Sequence, residues 1–168
     1  VNKNLESQLE YISKFENSIF VLATRWEHHI NFYDSLDYDI YNDINDTLSF
    51  LLERNNKIII ISAIPIQNIK VVDNYLNQEI NFGDEIYIDR QAWEYRSFKS
   101  NNYFKNIDND KIAVIDSTET FCNEIVVDKC IGAFEDKIFY YDDNHLTVEG
   151  AQILGDKVIK RIKFLLDS

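Results

Sequence analysis

The stretch Lys57-Ile58-Ile59-Ile60-Ile61-Ser62-Ala63-Ile64-Pro65 decides the fold. Four consecutive isoleucines leave a strand no polar face, so it must be covered on both sides, which is the setting of a parallel sheet between helices. Pro65 cannot donate to a ladder and stops it. Upstream, Ser18 to Thr24 (SIFVLAT) is a second apolar run too short for a helix, and downstream Lys111 to Asp116 (KIAVID) is a third. Both are expected as buried parallel-type strands. Between and around them the spacing turns helical: Leu5, Leu9, Ile12 and Phe15 over 4–15, then Ile40, Ile44, Leu48, Leu51 and Leu52 over 39–54. A further helix is expected over 68–80, and 81–110, aromatic, polar and poorly periodic, reads as a long loop with one helix. Lys137 to Tyr141 reads as a short strand or an extended approach to the polar residues after it. The last segment is the clearest helix: Thr147 can cap it, Glu149 favours its dipole, and Val148, Ala151, Leu154, Val158, Ile162 and Leu165 form its stripe. Lys157, Lys160, Arg161 and Lys163 load its C-terminal half with positive charge. Strands alternating with helices of this length predict an α/β fold, a three-layer α/β/α sandwich with a parallel sheet, as a single domain over 1–168.

Composition bounds the function. The chain has 168 residues, 29 acidic against 17 basic, and a formal net charge of −12. Its 45% hydrophobic content builds a core and excludes a disordered acidic tail. Such a charge repels a phosphate backbone, so no nucleic acid is expected as a partner, nor an anionic membrane surface. There is no run of about 18 apolar residues to span a bilayer. No Met occurs anywhere, position 1 included, which leads us to expect a processed product or a piece of a longer protein. Cys122 and Cys130 are too far apart for a CxxC pair. Their spacing suits a disulfide closing a small loop and equally two unlinked core thiols.

In open α/β sheets chemistry collects at the carboxyl ends of the strands. Those ends carry Thr24-Arg25-Trp26-Glu27-His28-His29, Ser62 to Gln67 and Asp116-Ser117-Thr118, and a further polar cluster, Asp142-Asp143-Asn144-His145, precedes the last helix. Asp142 and His145 are three residues apart in a turn, which lets the carboxylate accept from one imidazole nitrogen while the other faces a cleft, as a general base requires. The same four residues would also serve as a solvated acidic turn capping a helix. Adjacent histidines on one element point different ways, so His28, His29 and His145 are not expected to share a metal, and no cofactor is implied.

The block DDNHLTVEGA (Asp142 onward, preceded by Tyr141) resembles the last motif of the SGNH hydrolase superfamily, and more narrowly that of the SGNH domains fused behind membrane acyltransferases of acyltransferase family 3. VLATRW (Val21 to Trp26) is similar to the strand of those domains that ends in Ala-Arg-Trp. IIIISAIPIQ (Ile58 to Gln67) resembles their next strand with its Pro-containing turn. DSTETFC (Asp116 to Cys122), followed by Cys130, resembles their paired cysteines. The resemblance runs from about Leu5 to Leu166. It implies that His145 is the base, that Asp142 orients it, and that Cys122 and Cys130 form a disulfide in an oxidising extracytoplasmic space.

Two parts of the pattern are missing. No Gly-Asp-Ser occurs to supply the nucleophile, and Gly83-Asp84-Glu85 carries Glu and falls after the second visible strand. The superfamily's oxyanion Asn has no counterpart where the sequence reads Ala23-Thr24-Arg25-Trp26. The expectation is therefore a domain lacking its first strand. In it Arg25 and Trp26 are candidates for meeting an oxyanion or substrate, Arg25 being equally at home in a salt bridge and Trp26 in packing. The implied function is transfer of an acyl group, acetyl in the first instance, to a cell-surface glycan. The implied partners are an acyl donor delivered by a membrane acyltransferase domain, to which the chain would be tethered N-terminally, and the glycan acceptor. An esterase of the same fold, or a catalytically inactive glycan-binding or scaffolding module, are the competing readings.

Overall fold

In a computed structural model, residues 10–167 are described. The parallel sheet is present in the order β1-β2-β4, with β1 at Ile19–Ala23, β2 at Lys57–Ile61 and β4 at Ile112–Ile115. Ile19 pairs with Lys57 and Ala23 with Ile61, while Ile58 pairs with Ile112 on the other side, so β2 is the central strand. Its isoleucines sort the core by parity. Ile58 and Ile60 point to a layer built from Ile30, Ile44, Leu48, Leu51 and Phe104, and Ile59 and Ile61 point to one containing Val71, Phe121, Leu154 and Leu165. Three of the four are fully buried, each contributing about 1.5–3 kcal/mol of apolar burial.

The first layer is carried by helices α1 (Trp26–Asp34), α2 (Ile40–Leu52) and α4 (Arg90–Lys105), the second by the C-terminal helix α6 (Val148–Asp167). Shorter helices α3 (Val71–Leu76) and α5 (Ser117–Cys122) follow β2 and β4. Aspartates start three of these helices: Asp39 accepts from the Tyr41 N–H, Asp89 from that of Ala92, and Asp116 from that of Glu119. Thr147 caps α6 by accepting from the Gly150 N–H at 3.2 Å.

The structure departs from the sequence reading in four places. The run 81–110 contains β3 (Ile86–Asp89) and the 16-residue α4. The inward face of α4 is Trp93, Ser97, Ser100 and Phe104, and two serines in that stripe erase the apolar period. A second sheet is antiparallel, in the order β3-β5-β6, with β5 at Lys129–Phe134 and β6 at Lys137–Ile138. The helix expected over 68–80 is only the six residues of α3. Finally β1 is half-buried, Val21 being 42% exposed, because β2 covers one of its edges and no strand among the described residues covers the other. Half of the helix expected over 4–15, residues 4–9, lies outside the described residues; 10–12 are helical.

Near the N-terminal ends of the parallel strands a buried side chain ties the layers together. Asn56 accepts from the Ser18 N–H at 2.9 Å and donates to the carbonyls of Leu51 and Phe15. At the other end of the molecule α6 approaches the chain before it so closely that a Cβ on Gly150 would lie 2.2 Å from the Phe139 carbonyl oxygen, whereas one on Gly155 would meet nothing within 4 Å. Gly150→Ala is expected to destabilise the fold by about 2 kcal/mol or more, through displaced backbone. Gly155→Ala should stabilise it by up to about 1 kcal/mol through helix propensity. Urea denaturation of both variants checks this, and equal effects would contradict the close approach at Gly150.

Candidate active site

The turn that carries Asp142 and His145 is fixed from two directions. Tyr140 and Leu146 bridge its base, and the Tyr141 N–H donates to the His145 carbonyl at 2.7 Å. Its outer side docks on the segment after β2, where the N–H groups of Gln67 and Val72 donate to the carbonyls of Asp143 and Tyr141 at 2.8 and 3.0 Å. The strand that organises the core thus also holds this turn.

Within the turn the Asp142 carboxylate accepts three bonds. Oδ1 takes the N–H groups of Asn144 at 2.8 Å and His145 at 2.7 Å, and Oδ2 lies 2.7 Å from His145 Nδ1. Partial burial pushes the Asp142 carboxyl up, but the bonds from Asn144 and from the ring and N–H of His145 together outweigh it and hold the acid at about 2. A carboxylate ionised at every physiological pH can only accept, so in the neutral imidazole Nδ1 carries the proton and Nε2 keeps its lone pair. The His145 side chain is 76% exposed, and its Nε2 has no partner among the described residues. The arrangement can take a proton from a bound hydroxyl and return it, with Asp142 stabilising the imidazolium between the two steps.

The other expected residues make no direct contact with this pair. Arg25 and Trp26 stand just beyond the carboxyl end of β1 and make no hydrogen bond, ion pair or ring contact with Asp142 or His145. Trp26 donates its indole N–H to the Ile61 carbonyl at 2.8 Å and packs edge-on against Phe104 at 4.8 Å, half-buried against the core. Arg25, exposed, has Nε 3.7 Å from Glu27 Oε1. Cys122 and Cys130 are joined in a disulfide, both fully buried, linking the end of α5 to β5. Closing so short a loop stabilises the fold by about 2.5 kcal/mol on the chain-entropy account.

Two polar groups at this end of the sheet were not singled out by the sequence, although Glu27 falls in the stretch that follows the first strand. Glu27 looks like one acid among 29, yet its side chain is 1% exposed and neither carboxylate oxygen has a hydrogen-bond partner. Asn101, on α4, donates to Ser97 Oγ and Thr118 Oγ1, and its Oδ1 is buried without a partner. Only the folded contacts distinguish these side chains from the other polar residues of a polar chain.

The fold and site are thus a parallel α/β layer with a carboxylate-held imidazole in the turn before its last helix. Over residues 2–160 the chain matches the family of SGNH domains fused to AT3 domains, and it belongs to that family. Membership supports an acyltransferase- or esterase-type function and a membrane acyltransferase as the partner. Among the described residues no helix is long and apolar enough to cross a membrane, and the disulfide fits an extracytoplasmic location. No match was found among curated proteins or among solved structures.

The pH dependence of stability follows from Asp142. Its folded value near 2 lies below the unfolded value of about 3.9, so its contribution is fully present above about pH 4 and is lost as pH falls toward 2. The stability difference between the wild type and Asp142→Asn should therefore shrink from pH 5 to pH 2 in urea titrations. A difference constant over that range would show that the carboxylate is not held as described.

Proposed function

We propose that the chain is the acid–base part of an SGNH-type serine acyltransferase that moves an acyl group, acetyl in the first instance, onto a cell-surface glycan. His145 Nε2 takes the proton of a serine hydroxyl as its oxygen attacks the acyl carbonyl, and the imidazolium returns that proton to the leaving group of the donor. In the second half His145 takes the proton of a sugar hydroxyl, the sugar oxygen attacks the serine ester, and the departing serine oxygen recovers the proton. With water in place of the sugar the same steps give an esterase. Asp142 holds the ring throughout, and Arg25 at the end of β1 offers positive charge to the oxyanion or to an anionic group of a substrate.

The observation that carries this reading is the 2.7 Å contact between Asp142 Oδ2 and His145 Nδ1 on a carboxylate already fixed by two N–H groups. In this reading the nucleophile is the serine of a Gly-Asp-Ser turn, a tripeptide that these 168 residues do not contain. A strand carrying that serine would pair at the edge of β1 that no strand covers among the described residues. The acyl donor would come from an N-terminal membrane domain, with the glycan met on the extracytoplasmic side. In the intact protein His145→Ala should lower acyl transfer at least a thousandfold without unfolding the domain, with acyl-glycan formation and circular dichroism as readouts. Transfer within tenfold of wild type would remove His145 from the mechanism and favour a glycan-binding module without catalysis.

A further inference from the structure

Gln67, buried in the segment that leaves β2, already holds the tip of the candidate site through its main chain, its N–H donating to the Asp143 carbonyl at 2.8 Å. Its side chain reaches two further places. Nε2 donates to the Cys130 carbonyl on β5 at 3.3 Å. The carboxamide also lies so close to β5 that a Cβ on Gly132 would stand 2.8 Å from Gln67 Oε1. Glycine at position 132 leaves the room that the amide occupies.

Beside this amide is the Tyr140 hydroxyl. Tyr140 is fully buried, its ring edge-on to Phe121 at 5.7 Å, and it bridges Leu146 at the base of the turn that carries Asp142 and His145. Burial pushes the Tyr140 hydroxyl up, and the neighbouring Gln67 side chain pulls it the opposite way. Tyr140 Oη and Gln67 Oε1 are both buried, and neither has a hydrogen-bond partner among the described residues. Buried polar atoms are rarely left so, because a lost bond leaves a desolvated group uncompensated. A hydroxyl both donates and accepts, and a carboxamide carries one atom of each kind, so a small adjustment of the amide satisfies the pair.

We propose that Gln67 is a positioning residue for the Asp142–His145 pair, acting through a hydrogen-bonded latch between its carboxamide and the Tyr140 hydroxyl. The latch grips the base of the turn while the Gln67 N–H grips its tip, and the bond to the Cys130 carbonyl ties both to the disulfide-linked strand β5. Gln67 touches no reacting atom. It keeps the turn closed, so that the N–H groups of Asn144 and His145 stay on Asp142 Oδ1 and the imidazole stays on Oδ2. The consequence, a base held in register, rests on the acyl-transfer reading; the latch itself rests on geometry alone.

Amide hydrogen exchange of the ¹⁵N-labelled protein tests this. Tyr140→Phe removes the hydroxyl and keeps the packed ring. It should speed exchange of the Asn144 and His145 amides at least about fivefold relative to Ile60 on the central strand, as the loss of one hydrogen bond implies. A general loss of stability would not raise that ratio. The ¹⁵N shifts of the His145 ring should move at the same time toward a more even mixture of tautomers. Gly132→Ala displaces the amide while leaving both latch residues in place, and should reproduce both effects. In a Gln67→Met background, where the latch is already gone, Tyr140→Phe should change the ratio by less than about twofold. An unchanged ratio or unchanged ring shifts in either single variant, or the full effect of Tyr140→Phe retained in the Gln67→Met background, would overturn the latch. None of these readouts needs turnover. Their failure beside an inactive His145→Ala removes the latch alone, and an intact latch beside an active His145→Ala removes the catalytic reading alone.

Discussion

Everything else in this structure depends on one strand being buried on both faces. Ile58, Ile59, Ile60 and Ile61 alternate between two apolar layers, and that alternation requires helices on each side of the sheet and a parallel neighbour at each edge. The functional geometry inherits the same constraint. The segment leaving β2 donates backbone bonds to the Asp142–His145 turn through Gln67 and Val72, and its Ser62 is bonded to Ser117 beyond β4. The Ile61 carbonyl receives the Trp26 indole, so the start of α1 is also registered against β2.

The carboxyl end of the sheet is polar in an economical way. Ser117 and Ser62 satisfy one another, through the Ser117 N–H to Ser62 Oγ at 2.9 Å and the Ser117 hydroxyl to the Ser62 carbonyl at 3.0 Å. Thr118 accepts from both Trp93 Nε1 and Asn101. Against that background the unpartnered atoms stand out, since a buried polar group left without a bond is a standing cost to the fold. The oxygen of Asn101 carries that cost at the end of the sheet where α/β proteins bind ligands, and the Glu27 carboxylate, without a hydrogen bond, has the 3.7 Å approach of Arg25 Nε as its compensation. Asp142 is the opposite case: every bond its carboxylate accepts comes from its own turn, so the dyad is assembled by local sequence and needs the rest of the protein only to anchor it.

The legible features were those with a local cause. Four isoleucines in a row announce a central strand, Asp142 and His145 sit within one turn, and Thr147 caps the helix that comes after it. The illegible ones depend on partners distant in sequence. The antiparallel strand Lys129–Phe134 pairs with Ile86–Asp89 some forty residues earlier, and nothing in Lys-Cys-Ile-Gly-Ala-Phe names that partner. Helix α4 hides behind Ser97 and Ser100, which can face inward because each returns its hydroxyl proton to a carbonyl of its own helix. The disulfide shows the same divide: spacing left two possibilities for Cys122 and Cys130, and family resemblance rather than local chemistry favoured the bond that the structure contains.

The central claim is that Asp142 fixes the imidazole of His145 with Nδ1 protonated and Nε2 available as a base. The ¹⁵N chemical shifts of the His145 ring at neutral pH measure this directly. The account requires the Nδ1–H tautomer to predominate in the wild type and to lose that preference in Asp142→Asn. An Nε2–H tautomer in the wild type, or a tautomer balance untouched by Asp142→Asn, would contradict it.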